Sequence, residues 1–168
     1  MYMGHLAVAL GAKRLTSKLP LWVLLLASLL PDLVDAFAGL TPWGRFANEY
    51  SHSLYGIVVM VMLMVFVAAL LARDVTEALL AGALVASHLL LDFVTSHISL
   101  WSGGPLVGAG LYSHPLGDFV AEAAVIVISV WVYSQSLKVR LGRPAVLGML
   151  SCLIVFQAAW DAMLLAGG

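Results

Sequence analysis

The chain has 168 residues, of which 62% are apolar and only 10% are charged. A water-soluble domain carries about 25% charged residues, so lipid must cover part of this one. The formal net charge of −1 argues against a polyanion partner such as nucleic acid, and the single cysteine, Cys152, excludes disulfide frameworks and thiolate zinc sites.

Six apolar segments are expected. Residues 3–16 form a short one. Five more run over 20–37, 53–72, 76–96, 116–136 and 144–166, each near the ~20 residues that span ~30 Å of hydrocarbon. Turn chemistry separates them at Leu19-Pro20, Gly39 to Gly44, Arg73-Asp74, Gly103-Gly104-Pro105 and Gly142-Arg143-Pro144. The expected fold is all-α: a polytopic membrane helical bundle of five to six segments, as one domain over 1–168. A signal peptide is the rival reading of the start, with residues 21–30 as its apolar region and Ala36-Phe37-Ala38 as a cleavage site. Asp32 and Asp35 speak against it.

Basic residues set the expected orientation. Lys13, Arg14, Lys18, Arg73, Lys138, Arg140 and Arg143 fall in alternate connectors. Connectors 38–52 and 97–115 hold only Arg45. The positive-inside rule places the basic set in the cytoplasm and the other two loops outside.

The acids and histidines then collect at the outer ends. Asp32 and Asp35 lie there on the second segment, and His52 opens the third. His88 and Asp92 lie in the outer half of the fourth, with His97 beyond. His114, Asp118 and Glu122 run down one stripe of the fifth. His5 reaches the same level if the first two segments form a hairpin: His5 to Lys18 descends roughly 20 Å, and Pro20 to Asp32 climbs back roughly 18 Å. His88 and Asp92, at i,i+4, share a helix face, as do Asp32 and Asp35 at i,i+3. His52, near a helix N-terminus, is biased toward the neutral imidazole that binds metals.

Charge balance asks for cations. A carboxylate at bilayer depth costs about 2.5–3.5 kcal/mol. Asp32, Asp35, Asp92, Asp118 and Glu122 have no lysine or arginine within their segments. Protons or metal ions must supply the positive charge, and five histidines at one level favour metal. His97 and His114 have an alternative as interfacial residues, Glu122 as a partner that holds a histidine, and Asp35 as a helix-end residue. The five tryptophans read as belt or packing residues.

The succession Gly4-His5, Leu30-Pro31-Asp32, Tyr50-Ser51-His52-Ser53-Leu54 and Ser87-His88-Leu89-Leu90-Leu91-Asp92 resembles the YdjM-like family, inner-membrane proteins described as metal-dependent hydrolases. The resemblance covers residues 4–122. That family is similar in turn to the zinc-dependent phospholipase C and single-strand nuclease superfamily, helical proteins that hold three zinc ions. The superfamily's ligand order implies His5, Asp32, His52, His88, Asp92, His97, and the pair His114 and Asp118 as metal ligands. Asp118 stands where the superfamily has Glu, which leaves Glu122 as the competing carboxylate.

The expected function is a metal-dependent hydrolase of the inner membrane whose site faces the periplasm. It would hold two or three divalent ions, zinc foremost, with manganese or iron compatible with the ligands. Bound water brought to a pKa of about 7 would attack a phosphoester, a phospholipid headgroup or a lipid-linked phosphate. Asp92 could bridge two ions, and Asp32 or Asp35 could be ligand or general base. Membrane lipid is the expected partner. The uncharged, glycine-rich loop 98–113 is either a lid that dips into the interface or a plain connector. Two rivals use the same residues: a proton-relay transporter and a metal-bound scaffold without turnover. No H-E-x-x-H, no G-x-S-x-G and no phosphate loop with lysine is present.

Overall fold

The structure is a computed structural model that describes residues 2–42, 44, 50–136 and 141–167. Trp43, Arg45, Lys138 and Arg140, which enter the sequence reading, lie outside the described residues. Six α-helices occur among the described residues: α1 (Tyr2–Ala12), α2 (Leu21–Gly39), α3 (Leu54–Ala72), α4 (Val75–Thr95), α5 (Pro115–Ser134) and α6 (Arg143–Gly167). All but α1 are long and apolar enough to cross a membrane. The chain is a polytopic helical membrane protein. Two-residue strands β1 (Ile98–Ser99) and β2 (Leu106–Val107) pair antiparallel in the α4–α5 connector.

The short α1 organises the bundle. It packs against α2, α4, α5 and α6, while α3 packs chiefly on α4, and α6 on α5. Two apolar clusters meet across it. One joins Ala9 and Ala12 to Val23, Leu24, Met60, Met64 and Val85. The other joins Ala7 to Ile126 and Val130. Small residues on α1 make this possible, because they let neighbouring backbones approach closely. A Cβ added at Gly11 would already stand 3.4 Å from Ser129.

The expected N-terminal hairpin is present. Its descending arm is α1 followed by a 3-10 turn at Lys13–Leu15, rather than one apolar run over 3–16. At one end Lys13 Nζ donates to the Leu19 carbonyl at 2.6 Å. At the other, Ser28 Oγ donates to the His5 carbonyl at 2.7 Å. Buried Glu77 holds the turn. It accepts from the Thr16 hydroxyl and, at 3.4 Å, from the backbone N–H groups of Ser17 and Lys18. Beside it, the Lys18 ammonium lies 2.6 Å from Asp74 and holds that carboxyl below the ordinary range. Glu77→Ala strands the buried Thr16 hydroxyl and removes the acceptor of two partly buried backbone N–H groups. It should therefore lower stability by about 1–3 kcal/mol, read as an earlier unfolding midpoint in detergent.

Pro115 opens α5 at its first position, as the sequence suggests. Ser53 and Asp74 cap α3 and α4 with their side chains.

Candidate metal centre

Four helices bring the site together. Asp32 and Asp35 come from the second half of α2, His52 from just before α3, His88 and Asp92 from the last turns of α4, and His5 from α1. Pro31, which has no N–H, interrupts the backbone ladder of α2 one residue before Asp32. His5 and His88 are fully or almost fully buried, and Asp92 nearly so. Asp32 and His52 are half-buried and line a cavity of about 1070 Å³.

Hydrogen-bond chemistry fixes where the protons sit. His88 Nδ1 is 2.8 Å from the Ser28 carbonyl oxygen, which can only accept. The proton is therefore on Nδ1, and in the neutral ring Nε2 carries a lone pair. His52 Nδ1 is 3.1 Å from Asp35 Oδ2, another acceptor, so in its neutral ring too Nε2 carries the lone pair. The Ser51 hydroxyl donates to the other oxygen of Asp35 and completes that arrangement. The His5 and His88 rings stack with centroids 3.7 Å apart and planes 9° from parallel. Two imidazoliums at that separation would repel strongly, which keeps at least one ring neutral.

The two lone pairs and two carboxylates then converge. His88 Nε2 lies 3.2 Å from His52 Nε2, 3.1 Å from Asp92 Oδ2 and 3.5 Å from Asp32 Oδ1. His52 Nε2 lies 3.4 Å from Asp92 Oδ2 and 3.5 Å from Asp32 Oδ1. With both rings neutral, four acceptors face one another, and among the described residues no lysine or arginine lines the cavity. A tetrahedron with metal–ligand bonds of about 2.0–2.2 Å has edges of about 3.3–3.6 Å. The five separations run from 3.1 to 3.5 Å, the spacing of neighbouring donors around a divalent cation, and Asp32, His52 and His88 form one three-donor group. His5 stands beside it with Nε2 3.1 Å from Asp92 Oδ1. Its Nδ1 is buried and has no hydrogen-bond partner among the described residues. This places the ring proton on Nε2, where it secures Asp92. His5, His88 and Asp92 also form a second group with donor atoms within 4.8 Å of one another.

The other expected ligands lie elsewhere. His97 is exposed and lines the cavity, its ring lying against Gly110, whose φ of +63° is left-handed. His114 is exposed at the start of α5. Asp118 and Glu122 are buried in a separate polar group with Gln157 and Asp161 of α6. There Glu122 accepts from the Gly4 N–H at 3.2 Å, and Gln157 donates to Asp161 at 2.7 Å. Between the two groups stands Tyr112 at the cavity wall; burial and the nearby Glu122 carboxylate push its hydroxyl well above the ordinary phenol range, so it remains a donor.

Two residues with structural claims on the site carried no role in the sequence reading: Ser28, whose backbone carbonyl accepts from the His88 ring N–H, and Ser51, which steadies Asp35. Ser28 had a legible signal, since it stands one turn before Asp32 on the same face of an otherwise apolar helix. Asp35 acts on the donor set through His52. Asp35→Ala should weaken metal affinity about 10–100-fold without removing a donor, measurable by competition with a chromophoric chelator.

The family model of the YdjM inner membrane protein matches residues 1–161. No curated protein and no solved structure matches the chain.

Proposed function

We propose that this chain, which belongs to the YdjM inner membrane protein family, is a membrane-embedded metal-dependent hydrolase acting on a phosphoester. The observation that carries this reading is the convergence of His52 Nε2, His88 Nε2, Asp32 Oδ1 and Asp92 Oδ2 at the floor of a cavity. The distribution of basic residues supports a site on the periplasmic side. The site holds one ion in this reading, against the two or three implied by the superfamily resemblance. Its two donor groups share His88, and with Nδ1 committed to Ser28, one ring nitrogen cannot serve two metals.

A divalent cation there would polarise a phosphoryl oxygen and acidify a water. The chain's own residues do the rest. Ser28 and Asp35 fix the tautomers of His88 and His52, and His5 orients Asp92. Asp32 has the longest separations from both histidines, and its side chain is 29% exposed, against 11% for Asp92. It is the carboxylate free to yield its place and accept a proton from an attacking water. Ser96, His97 and Tyr112 offer polar contacts to the substrate from the cavity wall.

Closure of all four protein donors on one ion would favour a structural metal instead, which keeps the scaffold reading as second. Purified protein, stripped with chelator and reloaded with zinc, separates the two against a panel of phosphomonoesters, phosphodiesters and phospholipids. Zinc-dependent release of phosphate or headgroup supports the hydrolase. Bound zinc with no turnover across the panel supports the scaffold.

A further inference from the structure

With α2 taken as a full membrane span, the site lies below the membrane boundary. α2 has 19 residues and spans about 28 Å, close to the whole hydrocarbon thickness. Asp32 stands seven residues before its end at Gly39, so the donors lie about 10 Å short of that end. Whatever roofs the cavity sits in the boundary layer between hydrocarbon and water.

The roof is the β1–β2 hairpin. It is tied at both ends: Ala109 N–H donates to the Phe93 carbonyl at 2.8 Å, and Leu54 N–H to the Leu100 carbonyl at 2.8 Å. Residues 98–112 include no charged side chain. Trp101 and Leu106 line the cavity and are still 46% and 69% exposed. The Trp101 indole is seated on Gly104, where an added Cβ would meet it at 2.7 Å.

Part of the tip is also paired internally. Ser99 Oγ donates to the Trp101 carbonyl at 2.6 Å and lies 3.3 Å from the Gly104 carbonyl, while Gly104 N–H donates to Trp101 at 2.9 Å. Non-helical backbone tolerates a water-poor layer only when its polar groups are paired in this way. The apolar surface continues onto the end of α2 through Leu33, Phe37 and Leu40, the last two 73% and 85% exposed. A tryptophan beside leucines at the end of membrane-spanning helices is the composition that partitions into the interface.

We propose that the hairpin, with the last turns of α2, is embedded in the lipid headgroup–acyl boundary, and that the cavity above the donor set opens sideways into lipid. The occupant of this surface is the bilayer itself. A ligand of the site then arrives by lateral diffusion as an amphiphile, its polar group at the donors and its chains between Leu33, Trp101 and Leu106. The inference stands apart from hydrolysis: a protein with no turnover would show the same insertion.

The test uses the full chain in phosphatidylcholine vesicles, with Trp101 as the sole tryptophan after Trp22, Trp43, Trp131 and Trp160→Phe. Lipids brominated near the headgroup end of the acyl chain should quench it strongly, and aqueous iodide weakly. Iodide quenching without bromolipid quenching overturns the proposal. Protection from both quenchers overturns it as well and points to a second copy over the hairpin. A second variant guards against misfolding of the first: Leu106→Cys with Cys152→Ser should react with a water-soluble maleimide about tenfold more slowly in vesicles than after unfolding. Equal rates contradict the insertion.

Discussion

Asp32→Asn should leave the metal in place and lower phosphoester turnover by about 10²–10⁴-fold, the usual range for loss of a general base. Asn keeps the size of the side chain and an oxygen that can still approach His52 and His88. It cannot accept a proton from water. His52, His88 and Asp92 still supply three donors, which is the number that catalytic zinc sites use. The discriminating readout is the pair of measurements together, metal content and turnover at saturating metal. If Asp32 is instead an essential ligand, metal is lost along with activity. If the site is structural, neither turnover nor its loss exists to be measured.

His88→Ala should be the more damaging change to the site itself. It deletes a donor at its centre, since His88 Nε2 makes three of the five close approaches. It also leaves the Ser28 carbonyl without the ring N–H and removes the stacking partner of His5. Metal affinity should fall by more than the roughly 100-fold that bounds the loss of a supporting residue. Zinc should raise the unfolding midpoint of the wild type through linkage and leave that of His88→Ala unmoved. A variant that folds, binds zinc normally and gains the same thermal shift would remove His88 from the centre.

The membrane spans are legible because apolar runs of membrane length leave no alternative, and their bounds agree with the helices to within a few residues. The last expected segment, 144–166, becomes α6 over Arg143–Gly167. The short first segment is harder, because its end depends on a 3-10 turn held by Glu77, a residue some sixty positions away. The heart of the site is legible too. His88 and Asp92 meet at i,i+4 as the helix period requires, with 3.1 Å between Nε2 and Oδ2. Asp32 and Asp35 share a face so that they bracket the two nitrogens of His52.

What the sequence does not convey is azimuth. Counting residues along a helix gives height in the membrane, and by height His114, Asp118 and Glu122 stand with the other polar residues. Which neighbour a helix packs against gives the lateral position, and no periodicity encodes that. With α1 between them, α2 and α4 collect one polar group, and α5 and α6 collect another. The hairpin over 98–107 escaped for a different reason. Strands of two residues are too short to show an alternating pattern, and only its uncharged composition marked it as more than a plain connector.

The most direct test of the account is metal content by elemental analysis of the purified protein beside His88→Ala and Asp92→Ala. The account predicts about one zinc or comparable divalent ion per wild-type chain, consistent with donor groups that share His88, and background in both variants. Background metal in the wild type after zinc loading, or equal metal in all three proteins, would contradict it.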